Sequence, residues 1–173
     1  MNTMSLKRAL GMAGSLVMAC VGLRLADAAE LYTFQAPAGW QDFSHTNLGN
    51  RAISIWRGPT DTHFGENILL IVKPTSQTLD NVSQLKAVTG GLPGAQGSRR
   101  PMTICGGHPA MYVYVTAPFR GHTLISENVL SVWNNVGYSA TYSRLDYQET
   151  VQSARSALTT LCPGGATTSS TSW

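Results

Sequence analysis

The chain has 173 residues, of which 43% are hydrophobic and 12% are charged. This composition is typical of one globular domain with a hydrophobic core and excludes a disordered or fibrous chain. The formal net charge is only +3, and the two adjacent arginines, Arg99 and Arg100, would point to opposite faces of a strand. Because a nucleic-acid binder normally has a concentrated basic surface, we predict no nucleic-acid partner.

The first 28 residues have the organisation of a cleavable signal peptide. Lys7 and Arg8 give it a positive start, residues 9–23 form an apolar run of signal-peptide length, and residues 26–28 are small enough for cleavage. The run is too short for a helix that spans a membrane. We therefore expect an exported protein, periplasmic or extracellular, with a single globular domain over residues 29–165.

A second kind of processing is open at Cys20. Residues 17–20 resemble the lipobox at which bacterial lipoproteins are cut and acylated, so Cys20 is an alternative site of lipid attachment. A lipid anchor there is the only membrane association that we predict. We favour simple cleavage before Ala29, because the small residues at 26–28 lie directly before the first expected strand.

The first part of the mature chain has the pattern of strands. Residues 31–34 predict one strand, and residues 51–57 and 67–73 predict a hairpin with a long tip at 59–65. Residues 68–72 are apolar at every position. A strand of this kind is expected to be central, with both faces covered.

A first helix is expected to begin near Thr78, which is a suitable N-cap. The apolar residues that follow share one helical face, namely Leu79, Val82, Leu85 and Val88. Gly90 and Gly91 end this helix. We interpret Gly91, Gly94 and Gly97 as a C-cap and a flexible connection and not as a phosphate-binding loop, since such a loop precedes its helix.

The second half predicts several antiparallel strands and a last helix. The strands are expected at 102–105, 110–117 and 123–133 and, after a tight turn, from 138 onward. Asp146 and Glu149 have the spacing of a capping box. The helix behind them would place its apolar residues on the sheet, namely Val151, Ala154, Leu158 and Leu161. The Ser- and Thr-rich residues 166–173 are expected to be a disordered tail.

Two cysteines remain once Cys20 is assigned to the leader. Cys105 and Cys162 are an even pair in an oxidising compartment, so we expect a disulfide from the end of a strand to the end of the last helix. Two free buried thiols are the alternative. Neither these cysteines nor the scattered histidines have the spacing of a metal site, and we predict no metal and no cofactor.

The order of elements and the phrase Phe-x-x-Pro-x-Gly-Trp at residues 34–40 resemble the PsbP-like and DcrB-like α/β/α sandwich proteins. The resemblance covers nearly the whole mature chain. It implies an α+β fold with a mostly antiparallel sheet flanked by two main helices. It also implies a non-catalytic accessory protein of the envelope or lumen, and it transfers no functional residue to this chain.

Catalytic motifs are not found in the sequence. The histidines show no helical pair, and no Gly-x-Ser-x-Gly motif is present. Glu127 is the only acid well inside a predicted strand. An envelope hydrolase that uses Glu127 or a histidine in a pocket is therefore the alternative function.

Aromatic and basic residues near strand ends are the candidates for a binding surface, because such residues often anchor interfaces. We expect Trp56 and Trp133 in the core and Phe64 and Phe119 exposed. The candidate binding residues are Arg57, His63, Phe64, Phe119, Arg120 and His122. The leading hypothesis is an exported, non-catalytic accessory or binding protein of the bacterial cell envelope, whose partner is an envelope protein or a small ligand.

Overall fold

The computed structural model describes residues 31–59 and 64–164. The expected signal peptide, the expected tail and His63 lie outside these ranges. Within them the strands are β1 (Tyr32–Thr33), β2 (Gln41–Asn47), β3 (Ala52–Arg57), β4 (Asn67–Pro74), β5 (Gln96–Ile104), β6 (His108–Phe119), β7 (His122–Trp133), β8 (Val136–Leu145) and β9 (Cys162–Pro163). The helices are α1 (Leu79–Val82), α2 (Leu85–Thr89) and α3 (Gln152–Leu158).

Seven of these strands form one sheet in the order β2-β3-β4-β8-β7-β6-β5, and every neighbouring pair is antiparallel. The strands β5 to β8 follow one another as a meander, and β8 then pairs with β4. This pairing joins the two halves of the chain. β1 and β9 form a separate two-stranded ribbon. The predicted α+β class with a mostly antiparallel sheet is confirmed.

The apolar strand β4 lies inside the sheet, as its sequence predicts. Ile68, Leu70 and Val72 are each 0% exposed and point to the first face, where the main core lies. Leu69 and Ile71 alternate with them, point to the second face and are half-buried. The two faces therefore have different coverings.

The first face is covered by α3, whose Ala154 and Leu158 are fully buried in the main core. This helix begins later than expected, since Val151 is its N-cap and makes no side-chain cap bond. The predicted capping box at Asp146 is wrong. The Asp146 carboxylate instead accepts a hydrogen bond from the backbone N–H of Thr123, which ties the turn after β8 to the start of β7.

The second face is covered only in part. Thr78 caps α1 as predicted, but the chain turns at Ser83 and the expected single helix is divided into α1 and α2. The two short helices contact β5, β6 and β7. Their apolar residues pack against a small second core of Val113, Val115 and Leu130. In the described residues neither of these helices has comparable contact with β4 or β8 on this face.

The disulfide joins Cys105 and Cys162, whose Cα atoms are 5.0 Å apart and which lie 57 residues apart in sequence. Cys105 directly follows β5, as expected. Cys162 lies in β9 and not at the end of the last helix, because that helix stops at Leu158 and three residues intervene. The bond therefore ties the terminal ribbon to an edge of the large sheet.

Candidate functional site

A cavity of about 730 Å³ lies on the second face of the sheet. Its floor is made by side chains of β4, β8, β7 and β6, including Leu69, Ile71 and Leu130. Its wall is made by α1, α2 and the segment that follows, including Val88 and Leu92. The cavity exists because the two helices are too short to cover the whole face. Its size and mostly apolar lining are those of a small-molecule site.

A line of polar side chains crosses the cavity floor. Asn128 is 4% exposed, and its amide nitrogen donates to the carbonyl of Val113 at 3.0 Å. The Thr141 hydroxyl donates to the Asn128 amide oxygen at 2.8 Å. The hydroxyls of Ser126 and Ser143 lie 3.2 Å apart. These groups therefore already have partners within the sheet, and an apolar molecule can lie over them at little cost in desolvation.

The polarity of the cavity changes along its length. One end is formed by Lys73 and the polar residues Thr75, Ser76 and Gln77, which follow β4. The other end is formed by Ala117 and by Leu124, which pair with each other across β6 and β7. Along the strands, the cavity thus changes from a polar end at Lys73 to an apolar end at Leu124.

Glu127 points away from this cavity, into the first face. Its side chain is 1% exposed, and Arg155 on α3 binds it with two hydrogen bonds of 2.6 and 2.7 Å. The Tyr112 hydroxyl donates a third at 2.5 Å. Burial acts to raise the pKa of Glu127, but these bonds from Arg155 and Tyr112 and the neighbouring positive charges together hold that pKa below its ordinary value.

The surroundings of Glu127 test the alternative function, which is an envelope hydrolase. An open pocket that holds Glu127 and a histidine within hydrogen-bond reach of each other would favour the hydrolase. In the described ranges the hydrogen-bond partners of Glu127 are instead Tyr112 and Arg155. A second buried acid, Glu66, accepts a bond from the Tyr142 hydroxyl at 2.8 Å, and burial raises the pKa of Tyr142 to about 12. Both acids therefore have structural partners that hold the sheet together.

The structure brings four of the candidate binding residues to one end of the sheet. Phe64 and Phe119 are in edge contact, with ring centroids 5.8 Å apart, so each is half-buried and not exposed as expected. The Arg120 guanidinium lies 5.5 Å from the Phe119 ring. His122 packs against Tyr147 at 5.0 Å. These residues form a cluster at the tip of the β6–β7 hairpin.

Arg57 lies apart from that cluster, on β3, where its guanidinium is 3.4 Å from the centre of the Phe43 ring. His63 lies outside the described residues. None of the five candidate residues that the structure describes lines the cavity. Their role in binding stays a prediction.

The two tryptophans expected in the core differ in their placement. Trp56 packs at the edge of the main core, 4.9 Å from the ring of Phe34. Trp133 is 40% exposed and contacts His108, so its expected core position is wrong. It is the last residue of β7, next to the turn that leads into β8.

The cavity is not predicted by the sequence. One signal in the sequence points to this region. The second face of β4 is apolar and needs a covering, and the helix predicted at Thr78 directly follows this strand. What the sequence did not reveal is the break at Ser83, which makes the covering incomplete.

No helix in residues 31–59 and 64–164 is long and apolar enough to cross a membrane. In the same ranges no three His, Cys, Asp or Glu side chains come together as metal ligands would.

The fold and the site define an α+β protein in which one face of an antiparallel sheet carries a helix and the other carries a ligand-sized cavity. No family model and no curated protein matches the sequence. A solved structure with the same fold is LpqN of Mycobacterium tuberculosis, which is described as involved in cell envelope biogenesis. The identity is 18%, the match covers 76% of this chain and 83% of LpqN, and the TM-score is 0.54. The similarity shows a shared fold, and the finer resemblance to PsbP-like and DcrB-like proteins stays a prediction.

Proposed function

We propose that this chain is an exported, non-catalytic binding protein of the bacterial cell envelope that holds an elongated, mostly apolar small molecule in its cavity. The observation that carries the proposal is the cavity itself, which has about 730 Å³ of space, a mostly apolar lining, and polar floor groups, Asn128 and Thr141, that already have partners. Sites of this size and lining are typical of small-molecule binding.

Three observations support export. The first 28 residues have the organisation of a signal peptide. Cys105 and Cys162 form a disulfide, and disulfides persist mainly in oxidising compartments outside the cytoplasm. The fold is shared with LpqN, which is described as a cell envelope biogenesis protein.

The choice of a binding role over hydrolysis is supported by where the acids lie. Glu127 faces away from the cavity and is bound by Arg155 and Tyr112. The cavity lining in the described part of the chain contains no Asp, Glu or His side chain. The carboxylate and histidine groups that the hydrolase alternative would use are thus lacking from the described lining, where a ligand has room.

The cavity is tested by placing a charge on its wall. Leu92 is 46% exposed and lines the cavity, so Leu92→Asp should leave the fold intact and put a carboxylate beside the bound ligand. We expect the variant to bind the uncharged fluorescent probe N-phenyl-1-naphthylamine about tenfold more weakly, because the carboxylate would lose hydration against an apolar molecule. The measurement is a fluorescence titration of the purified protein, expressed from the full sequence.

The matched control is Leu48→Asp, since Leu48 is also an exposed leucine, 67% exposed, but does not line the cavity. This variant should bind the probe as the native protein does. Equal probe affinity in all three proteins would show that the cavity is not the site. A native protein that does not bind the probe would contradict the proposed function.

A further inference from the structure

The cavity has a fixed direction, which the sheet register defines. At the polar end, Lys73 pairs with Gly137 and Gly137 pairs with Val132. At the apolar end, Leu124 lies eight residues before Val132 on the same strand. At about 3.3 Å per residue, the two ends are about 26 Å apart. An elongated molecule in this cavity would therefore have one end at Lys73 and the other at Leu124.

Lys73 is the only charged residue in the described lining of the cavity. Its side chain is exposed, and no acidic side chain of residues 31–59 and 64–164 forms an ion pair with it. The residues that follow it, Thr75 and Ser76, add hydroxyl groups at the same mouth. The polar end thus has one positive charge and hydroxyl groups, and no carboxylate in the described part of the chain forms an ion pair with that charge.

We infer that the ligand is a single-chain amphiphile with a carboxylate head, whose carboxylate lies at Lys73 and whose chain runs along the floor toward Leu124. This inference rests on the proposed function and specifies its ligand. The charge argues for a carboxylate, since one lysine matches one negative charge. Recognition of phosphate usually uses an arginine fork or several cations, and the described lining has no arginine.

The test compares two molecules that differ only in the head group. Dodecanoate and dodecan-1-ol are titrated at pH 8 against the native protein loaded with N-phenyl-1-naphthylamine. We expect dodecanoate to displace the probe at about fivefold lower concentration than the alcohol, which is the size of one exposed ion pair. This preference should shrink at 1 M salt, because the charge is accessible to screening.

The variant Lys73→Met removes the charge and keeps the length of the side chain. It should abolish the preference for dodecanoate over dodecan-1-ol, so that the two molecules displace the probe at the same concentration. The matched control is Lys86→Met, because Lys86 is the only other lysine beyond the leader and lies on α2 outside the cavity lining. This control should keep the native preference.

The outcomes separate the two proposals. Displacement of the probe by the acid and the alcohol at equal concentrations in the native protein would contradict the proposal of a carboxylate head. Because both molecules would still displace the probe, this result would agree with the proposed binding function. A preference that survives Lys73→Met would overturn the role of Lys73. Tighter binding of dodecyl phosphate than of dodecanoate would overturn the choice of a carboxylate. Failure of every amphiphile to displace the probe would contradict the apolar ligand site itself.

Discussion

Glu127 and Asn128 are neighbours on β7, and both are buried polar side chains. They point to opposite faces of the sheet. Because side chains alternate along a strand, Glu127 points to the helix-covered face and Asn128 to the cavity. Each is satisfied there by partners from other elements, Arg155 for the acid and Thr141 for the amide. The sequence marks Glu127 as an unusual acid inside a strand. It does not show the partner, because Arg155 lies 28 residues further along the chain.

The ionised form of Glu127 should stabilise the fold. Its pKa in the folded protein lies below the ordinary value of 4.5, so it contributes stability that is fully present above that value and is lost as the pH falls through the lower, folded-state pKa. We expect Glu127→Gln to cost about 2 kcal/mol of unfolding free energy at pH 7, since the half-exposed Arg155 recovers part of its hydration. The variant should also lose less stability than the native protein between pH 7 and pH 3. Urea unfolding at both pH values measures this difference.

Glu149→Gln serves as the control for the loss of one negative charge, because Glu149 is exposed and has no ion-pair partner within the described ranges. It should change the unfolding free energy by no more than about 0.5 kcal/mol at either pH. A Glu127→Gln variant with the same acid sensitivity as the native protein would contradict the stabilising role of the carboxylate.

At the scale of elements, the sequence predicts best where one physical signal is dominant. The uniformly apolar residues of β4 lead to the right strand in the right central position. The edge strand β2 was missed because six of its seven residues are exposed, so no apolar alternation marks it. The last helix was predicted to start too early, because Asp146 fits a cap by spacing alone while its carboxylate bonds Thr123 across the sheet.

The disulfide attaches the ribbon of β1 and β9 to the edge of the large sheet. It closes a loop of 57 residues, so replacing Cys105 and Cys162 by serine should lower the unfolding free energy by at most about 4 kcal/mol. The cavity lies on the other face of the sheet from the main core that Cys105 contacts, so the variant should keep native affinity for the neutral probe at temperatures where it is folded. Thermal unfolding and probe titration of the same sample measure both effects.

The native protein treated with a reductant is the control for the serine substitutions, and it should show the same loss of stability. Two free thiols in the denatured, non-reduced protein would contradict the bond. Loss of probe binding in a folded variant would show that the ribbon contributes to the binding site.

At the scale of the whole molecule, one sheet separates the face that carries the main core from the face that carries the cavity. The sequence predicts the sheet and the presence of helices. It also places Phe64 and Phe119 near strand ends, and in the structure these two rings are in contact. It does not predict the cavity, because the space depends on how far α1 and α2 extend over the sheet, and the sequence pattern predicts one unbroken helix there. Local patterns therefore identify the layers, while the gap between the layers depends on packing.

The whole chain should be processed during export, and the two modes of processing give different products. Ordinary cleavage after residues 26–28 gives a mature protein that begins at Ala29, whereas use of the lipobox gives one that begins at an acylated Cys20. We expect the first product, because the small residues before Ala29 lie directly before the first strand of the domain. Intact mass of the protein purified from the envelope of a bacterial host identifies the product. The variant Cys20→Ser should leave that mass and the localisation unchanged, and a protein that keeps Met1 and stays in the cytoplasm would contradict export by either route.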